Sequence, residues 1–511
     1  MNTTFKKYNL RFTTKNDYIC ILGTEKDKRT LLSNVIFEET TNKILDTTIL
    51  KESFNENHIE KISKIINQFF NKKEFSLNNF SSMNLLLHFL IIIDRVKKGY
   101  SLSNVQDIVT ENNNELDLIG DLSKRIEEVF SIKLNVHERN EIYILFKTNV
   151  NYHIDSNLIK FKKFIGPKYL DSIYQIIDEV SDVYSINLHN ETFIVPFGLH
   201  LKSLITRVSL KKYNKNPFLA TLKRDCPIIF DIAIFVSLRL SEIYDIDITQ
   251  DEIAFIAIHI GSEIDRQKSD TDKLKCVLIC PNYLNLETKI YNELISEFSD
   301  EITIIEILSN YVELDNYTFD LLISTLDDER NSYYPNLVIS PFHIENQKKK
   351  IQKVILEIQQ NQKRDTLYSN FEDYFGKELF FTIDKISKNQ AIDLLCDEMA
   401  ALQFIPDSFK EDVYKREDAS STAFGNIAIP HSVHMNALKT NIGIIISKSG
   451  IKWNGNIVHV VLLIAINKHD KDIFLKIYES LLSMFDNPNI IEILKNVTSL
   501  NEFKNVVFAN V

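Results

Sequence analysis

Glycine is scarce in this chain: 11 of 511 residues, or about 2% against a usual share near 7%. Proline contributes only 10. A sequence so poor in both is not collagen-like, low-complexity or built on glycine-rich loops. No GxGxxG fingerprint occurs. Gly450 and Gly455 have the spacing of a Walker loop, but Asn456 and Ile457 follow where Lys and Ser/Thr are required. No P-loop for ATP is expected, no cofactor is assigned, and no serine nucleophile elbow is visible. Cysteine is sparse too, and Cys20, Cys226, Cys276, Cys280 and Cys396 show no pairing pattern. That points to a reducing compartment without a disulfide framework. The longest apolar run, Leu85 to Ile93, is nine residues broken by His88, against the roughly 20 a membrane span needs. Met1 to Phe12 hold no signal-peptide core. Positive charge is in deficit, 59 Lys and Arg against 70 Asp and Glu, a net −11. Such a field disfavours a broad phosphate-backbone surface. These absences describe a cytoplasmic chain with no membrane span.

The length implies three to five domains by the prior of roughly 100 to 200 residues each. From about Asn55 to Asp265 the hydrophobic period is helical nearly throughout. Leu85, Phe89, Ile92 and Val96 form one buried stripe, and loops such as Glu111 to Leu116 are polar instead of glycine-rich. After Lys273 the pattern changes: short β-rich runs (Lys275 to Ile279, Ile302 to Leu308, Leu321 to Thr325, Leu337 to Ser340) alternate with helical stretches such as Glu287 to Phe298. That order predicts a small parallel α/β sheet. Arg266 to Lys273 reads as a solvated linker, and the polar stretch Gln359 to Asp365 marks the edge of the last segment. There, Ser387 with Gln390 and Ser408 with Glu411 have capping-box spacing. The runs Ile427 to Ile429, Ile442 to Ile446 and His459 to Ile466 predict a second α/β domain.

An internal repeat organises the helical half. His88 precedes Arg95 by seven residues and His200 precedes Arg207 by seven, which places each pair on one helical face. Glu141 and Glu252 each stand at the start of an apolar run. The two offsets, 112 and 111 residues, agree, as two copies of a helical module would give. His259 follows Glu252 by seven, so His200 and His259 could face one groove, or each could be a satisfied histidine near a core. The first copy has Thr148, or Leu145, where His259 stands in the second. In the last segment, His431 follows a β-run and a proline, and His469 follows the apolar run ending at Ile466. Two imidazoles leaving neighbouring strand ends can divide phosphoryl-transfer work, one as nucleophile and one stabilising the transferring oxygens. His434 completes a His-x-x-His with His431, but without a third ligand no metal is assigned.

On these residues the paired modules resemble the PRD domains, the helical regulatory domains phosphorylated on histidine in BglG-type antiterminators and mannitol-operon-type activators. The resemblance implies regulatory phosphorylation at His200 and His259, and at His88 in the first PRD, whose second histidine is absent. Cys280, in the run Cys276-Val-Leu-Ile-Cys280-Pro281-Asn282-Tyr283, looks like the phosphocysteine loop of a galactitol-type EIIB domain. Tyr283 and Glu287 stand where that family has a glycine and a small hydroxyl residue, which weighs toward a docking or sensing domain with Cys280 a strand-end thiol. The last segment resembles mannitol/fructose-type EIIA domains, on Gly425 to His431 and Arg416 to Thr422. This implies an active-site phosphohistidine at His431 with His469 as its partner.

The resemblance implies a multidomain α and α/β chain of two all-helical PRD bundles, a small parallel-sheet EIIB-like α/β domain and an EIIA α/β domain. The expected boundaries are a remnant linker at 1–48 after a missing DNA-binding region, PRDs at 49–160 and 161–268, the EIIB-like domain at 273–362 and the EIIA-like domain at 366–509. The start of the chain lacks room for a complete helix-turn-helix, and Lys6, Lys7, Arg11 and Lys15 are too few for a DNA-binding arm. DNA binding by this chain alone is therefore not expected. The implied function is a regulator of carbohydrate-uptake or utilisation genes that responds to phosphorylation by HPr or sugar-specific EII proteins and dimerises through its PRDs. The alternatives are an EIIA-type phosphotransferase passing phosphate from His431 to an EIIB, and a scaffold that is never phosphorylated.

Overall fold

The computed structural model describes the chain except for residues 1–7, 16–17, 40–47, 71–74, 78, 104–112, 153–157, 185, 211, 213, 268–272, 486, 488 and 511. Lys6, Lys7, the middle of the Arg266 to Lys273 linker and the start of the Glu111 to Leu116 loop lie outside the described residues. The chain forms two compact units, Met1–Val180 with Asn187–Ile260, and Ser181–Ile186 with Gly261–Val511.

The first unit opens with an antiparallel hairpin, β1 (Arg11–Lys15) and β2 (Tyr18–Leu22), followed by helix α1 (Glu25–Glu39). Helices α2 (Thr48–Ser53), α3 (Glu56–Phe70), α4 (Asn79–Lys97), α5 (Asn113–Phe130) and α6 (Val136–Asn149) build the first module. The strands β3 (Phe75–Ser76) and β4 (Asn151–Tyr152) pair across it. Buried side chains surround α4 on every face from Leu85 to Ile93 except at His88. That is why the run lacks polar alternation: a helix apolar all round belongs at the centre. The second module comprises α7 (Leu158–Ile165), α8 (Pro167–Tyr184), α9 (Glu191–Ser209), α10 (Leu219–Asp225), α11 (Pro227–Tyr244) and α12 (Gln250–Gln267). The repeat read from the histidines is structural, since α4 and α9 are both 19 residues long. Asn135 caps α6 by accepting from the Glu138 amide at 2.9 Å, and Asn190 caps α9 by accepting from that of Thr192 at 3.0 Å. Each satisfies an otherwise orphan donor of a first turn. Gly198 lets α9 approach α7, because a Cβ there would meet the Phe161 ring at 2.4 Å.

The second unit begins with a parallel sheet of β5 (Leu274–Ile279), β6 (Ile302–Leu308), β7 (Leu321–Ser324) and β8 (Asn336–Val338), in the order β6-β5-β7-β8. Helix α13 (Leu286–Phe298) makes the first crossover. Helix α14 (Ile344–Tyr374) then runs for 31 residues. Its Ile344, Ile351 and Ile355 enter the core of the parallel sheet, while Leu367, Phe371 and Tyr374 enter the core that follows. Gln359 to Asp365 is thus the solvated middle of one helix that serves two cores.

The last sheet holds β9 (Phe380–Thr382), β10 (Ala423–Phe424), β11 (Ile427–Ala428), β12 (Asn436–Trp453) and β13 (Asn456–Asn467), ordered β10-β11-β13-β12-β9. Strand alternation divides it into two cores. Ile442, Ile444, Ile446, Val460, Leu462 and Ile464 pack under α14 and α17 (Lys471–Met484), with α18 (Ile490–Leu494) and α19 (Leu500–Asn510) on the same side. Ile445, Trp453, Val461 and Leu463 face α15 (Lys388–Ala401) and α16 (Phe409–Ala419). The capping box of Ser387 and Gln390 is formed. That of Ser408 and Glu411 is not: Ser408 takes helical angles (φ −73°, ψ −15°) and its side chain makes no cap bond. No helix among the described residues is long and apolar enough to cross a membrane.

Candidate functional site

His88 lies on α4 in a pocket with Lys26, Arg29 and Thr30 of α1, Glu141 of α6 and Lys212, which follows α9. Burial pulls its pKa from 6.5 down to about 4; the Lys212 charge adds to this, and Glu141 opposes it. Its imidazole is therefore neutral at pH 7, the state with a lone pair able to attack phosphorus. The Glu141 carboxylate binds Lys212 Nζ through Oε1 at 2.5 Å, and its Oε2 is buried without a hydrogen-bond partner.

In the second module His200 and His259 meet, with ring centroids 5.0 Å apart and planes tilted by 40°. Burial, then the His259 and Arg207 charges, holds the His200 pKa well below its ordinary value. Burial takes His259 to about 4. Beside the pair is a pocket lined by Phe80, Asn84, Asn149, Asn214, Arg207 and Lys215 together with His200, whose Nε2 is buried without a hydrogen-bond partner. Asn84 donates to the side-chain carbonyls of Asn149 at 2.8 Å and Asn214 at 2.9 Å, so amides of both modules border the histidine pair. The helix starts Val136 and Gln250 make Leu145 the first module's counterpart of His259, and Thr148, the other candidate, donates its hydroxyl to the Ile144 and Leu145 carbonyls of its own helix. Leu145 is buried core.

The repeat landmarks pair differently in the two modules. Arg207 and Glu252 form a buried two-point ion pair, Nε to Oε1 at 2.7 Å and Nη2 to Oε2 at 2.6 Å. Arg95 instead binds Glu25 of α1 at 2.7 and 2.8 Å, while Glu141 binds Lys212. Arg29 of α1 also enters the first module, with its Nη1 and Nη2 each 2.8 Å from an oxygen of the Glu138 carboxylate. Sequence reading found Arg95 and Glu141 but not their partners, because Lys212 and Glu25 lie in charged stretches that carry no periodic signal.

In the second unit, His431 follows β11 and bridges to Ile464 of β13, which runs parallel to β11. Its Nδ1–H donates to the Ile429 carbonyl at 2.9 Å, so the neutral ring carries its lone pair on Nε2. His469 lies beyond the end of β13, at the same end of the sheet, where its amide donates to the Asn467 side chain at 2.9 Å. Just before the site, Glu417 anchors the loop. It accepts from the Thr422 amide (2.9 Å) and hydroxyl (2.6 Å), from Trp453 Nε1 (2.7 Å) and from Asn454 (3.2 Å). Arg416 Nη1 donates to the Ser420 carbonyl at 2.7 Å. His434 Nδ1 is 3.5 Å from the Asp412 carboxylate, and among the described residues no three His, Cys, Asp or Glu side chains are grouped to hold a metal ion.

Cys280 is buried just past β5. Burial raises its pKa; Thr325 opposes this by hydrogen bonding, and Glu287 adds to it. Burial, followed by the Asp320 charge, pushes Cys276 up to about 12. A thiol held protonated is a poor nucleophile. Glu287 sits in the first turn of α13, with Oε2 buried and without a hydrogen-bond partner, so the helix end that would favour a phosphate already holds a carboxylate. The left-handed residues of the loop are Leu284 (φ 51°) and Asn285 (φ 58°), one and two places after the tyrosine at the family's glycine position.

A family model described as the PRD domain matches residues 63–149 and 174–263. A second, for the phosphoenolpyruvate-dependent sugar phosphotransferase system EIIA 2 domain, matches residues 373–509. The chain is 23% identical over 525 residues to the probable licABCH operon regulator of Bacillus subtilis (strain 168), covering 98% of this chain and 78% of that protein. It is 22% identical over 498 residues to the transcriptional regulator ManR of the same strain, covering 94% and 75%. The crystal structure of IIA mannitol from Escherichia coli matches at 22% identity with a TM-score of 0.23, covering 26% of this chain and 97% of that one. With two PRD domains and a C-terminal EIIA domain of the second type on one polypeptide, this chain belongs to the PRD-containing regulators of the phosphotransferase system.

Proposed function

We propose that the chain regulates genes of carbohydrate uptake or utilisation by receiving phosphoryl groups on His200, His259 and His88 of its PRDs and on His431 of its EIIA-like domain. The observation that carries this reading is the meeting of His200 and His259, neutral through burial and bordered by amides of both helical modules. The donors are HPr and sugar-specific EII proteins in the cytoplasm. In each transfer a lone pair of the neutral ring forms a bond to phosphorus, the bond from phosphorus to the donor's carrier atom breaks, and that atom takes back the electron pair. At His431 the nucleophile is Nε2, since the Ile429 carbonyl holds the proton on Nδ1, and His469 stabilises the transferring oxygens. The product carries about two negative charges near pH 7, which the side chains around the PRD histidines, among them Lys212, Arg207 and Lys215, meet by repacking. That repacking changes PRD dimerisation. The PRDs extend over 49–160 and 161–268, the EIIB-like domain over 273–362 and the EIIA-like domain over 366–509. Cys280 is not a phosphorylation site in this reading.

The test is reconstitution with phosphoenolpyruvate, enzyme I and HPr, followed by phosphopeptide mass spectrometry under conditions that spare phosphohistidine. Label on His200 and His259 is expected. Label on His431 alone that chases onto an EIIB makes the chain a phosphocarrier, and no label on any histidine overturns both readings.

A further inference from the structure

Among the described residues three cations line the pocket of His88: Lys212, Arg29 and Lys26. Two of them are committed. Lys212 holds the Glu141 carboxylate, and Arg29 holds Glu138, Glu25 and the Tyr100 carbonyl. The Lys26 ammonium has no hydrogen bond or ion pair among the described residues. Its charge is nevertheless felt in the pocket: burial raises the Glu141 pKa, while Lys212 and, more weakly, His88 and Lys26 lower it. The docking of α1 delivers this lysine. Arg95 follows His88 by seven residues as Arg207 follows His200, and Glu138 is third in α6 as Glu252 is third in α12. In the second module that arginine and glutamate bind each other. In the first, α1 stands between them, giving Glu25 to Arg95 and Arg29 to Glu138. Lys26 and Thr30 each follow one of these anchors by one residue, about 100° around the helix, and that neighbouring strip of α1 is the one turned to the His88 pocket.

We propose that Lys26 of α1 binds a phosphoryl group carried by His88, and that phosphorylation thereby fastens α1 more tightly to the first module. This rests on His88 being phosphorylated, as read above. The group enters by the transfer already written, with a bond to phosphorus formed at the His88 ring and the bond to the donor's carrier atom broken. It brings about two negative charges beside Glu141, whose Oε2 is buried without a hydrogen-bond partner, and like charges repel strongly where water is excluded. A cation must answer the added charge. Moving Arg29 or Lys212 wholly to the new group would leave Glu138 or Glu141 as a buried carboxylate without its cation, a costly exchange. Turning Lys26 inward breaks no ion pair among the described residues, and its side chain already lines the pocket. The charge-assisted contact so formed adds a second tie between α4 and α1 to the one that Arg95 and Glu25 make. The pocket of His200 draws its cations, Arg207 and Lys215, from the second module itself. Phosphorylation of the first PRD is therefore reported at α1, and phosphorylation of the second is not.

Hydrogen exchange of the full chain, before and after labelling with phosphoenolpyruvate, enzyme I and HPr, reads this directly. With label on His88, amides of Glu25–Glu39 should exchange about fivefold more slowly, as expected for one added charge-assisted contact near the surface. Lys26→Met should abolish that slowing at equal label, and Lys26→Arg should keep it. Lys26→Met should also leave the unlabelled rate unchanged, because the ammonium has no partner to lose among the described residues. In His88→Gln, label on the second module's histidines should not slow α1. Label on His88 without slowing in the native chain, or equal slowing in the native chain and Lys26→Met, overturns the proposal while leaving the proposed function intact. Slowing in labelled His88→Gln overturns it as well, and so does faster exchange of unlabelled Lys26→Met, which would make the lysine a structural tie. Label on His200 and His259 with none on His88 removes the proposal and confines the proposed function to the second PRD and the EIIA-like domain.

Discussion

Acidification should destabilise the helical unit through its half-buried histidines, and His88 allows the effect to be worked out. Its pKa is about 4 in the folded chain, against about 6.5 for an unfolded histidine. A group whose folded pKa is depressed binds more protons when unfolded, so its contribution is fully present above about 6.5 and is lost as pH falls toward 4. Between pH 7 and pH 5 the loss from His88 alone is about 2 kcal/mol by linkage. The groups around the ring fit this sign. Lys212 disfavours the added proton and Glu141 favours it, but burial is the largest influence. The assay is urea unfolding at pH 7 and pH 5, followed by hydrogen exchange of peptides from α4 and α6, for the native chain and for His88→Gln. The native chain should lose about 2 kcal/mol more than the variant over that interval. Equal losses would refute a neutral His88 with a lowered pKa, because the only titrating difference between the two proteins is that ring. The same protonation governs chemistry: labelling of His88 should be flat from pH 8 down to about 5 and fall only near 4, since the nucleophile is the neutral ring.

Three further outcomes follow from packing. Truncating either member of the buried Arg207 and Glu252 pair leaves an uncompensated charge, so Arg207→Met should cost the second module about 3 to 5 kcal/mol; urea unfolding checks this, and a loss under about 1 kcal/mol contradicts the pairing. Glu417→Ala removes the acceptor of four hydrogen bonds and should cost about 3 kcal/mol, read from the fluorescence of Trp453, the chain's single tryptophan. Native-state alkylation of Cys280 should be slow, and Glu287→Gln should speed it severalfold at pH 8 by removing a neighbouring charge that holds the thiol protonated; an unchanged rate would place Glu287 outside the thiol's electrostatic reach.

What the sequence made legible was whatever repeats or alternates. The 112-residue offset between His88 and His200 reappears as two 19-residue helices, and the runs around Ile279, Leu308, Ile323 and Leu337 became parallel strands, as short β-rich runs alternating with helical stretches predict. Capping was half legible. Ser387 caps α15, but Ser408, with the same spacing, takes helical angles before α16 and makes no cap bond, since the pattern specifies donors and acceptors without fixing the entry angle. Gln359 to Asp365 lies where one core gives way to the next, but polarity reports only solvent, so its being the middle of one helix shared by two cores was not legible.

The partners of ions were the least legible, for a physical reason. Hydrophobic burial leaves a periodic trace because every turn of a helix must repeat it, whereas one carboxylate needs one cation and takes whichever the fold delivers. Glu252 and Glu138 are each the third residue of their helix, α12 and α6, yet one receives Arg207 from its own module and the other receives Arg29 from α1. No spacing rule separates the two cases. The difference arises because α1 brings Glu25 to Arg95, so the first module's arginine is engaged before its glutamate can claim it.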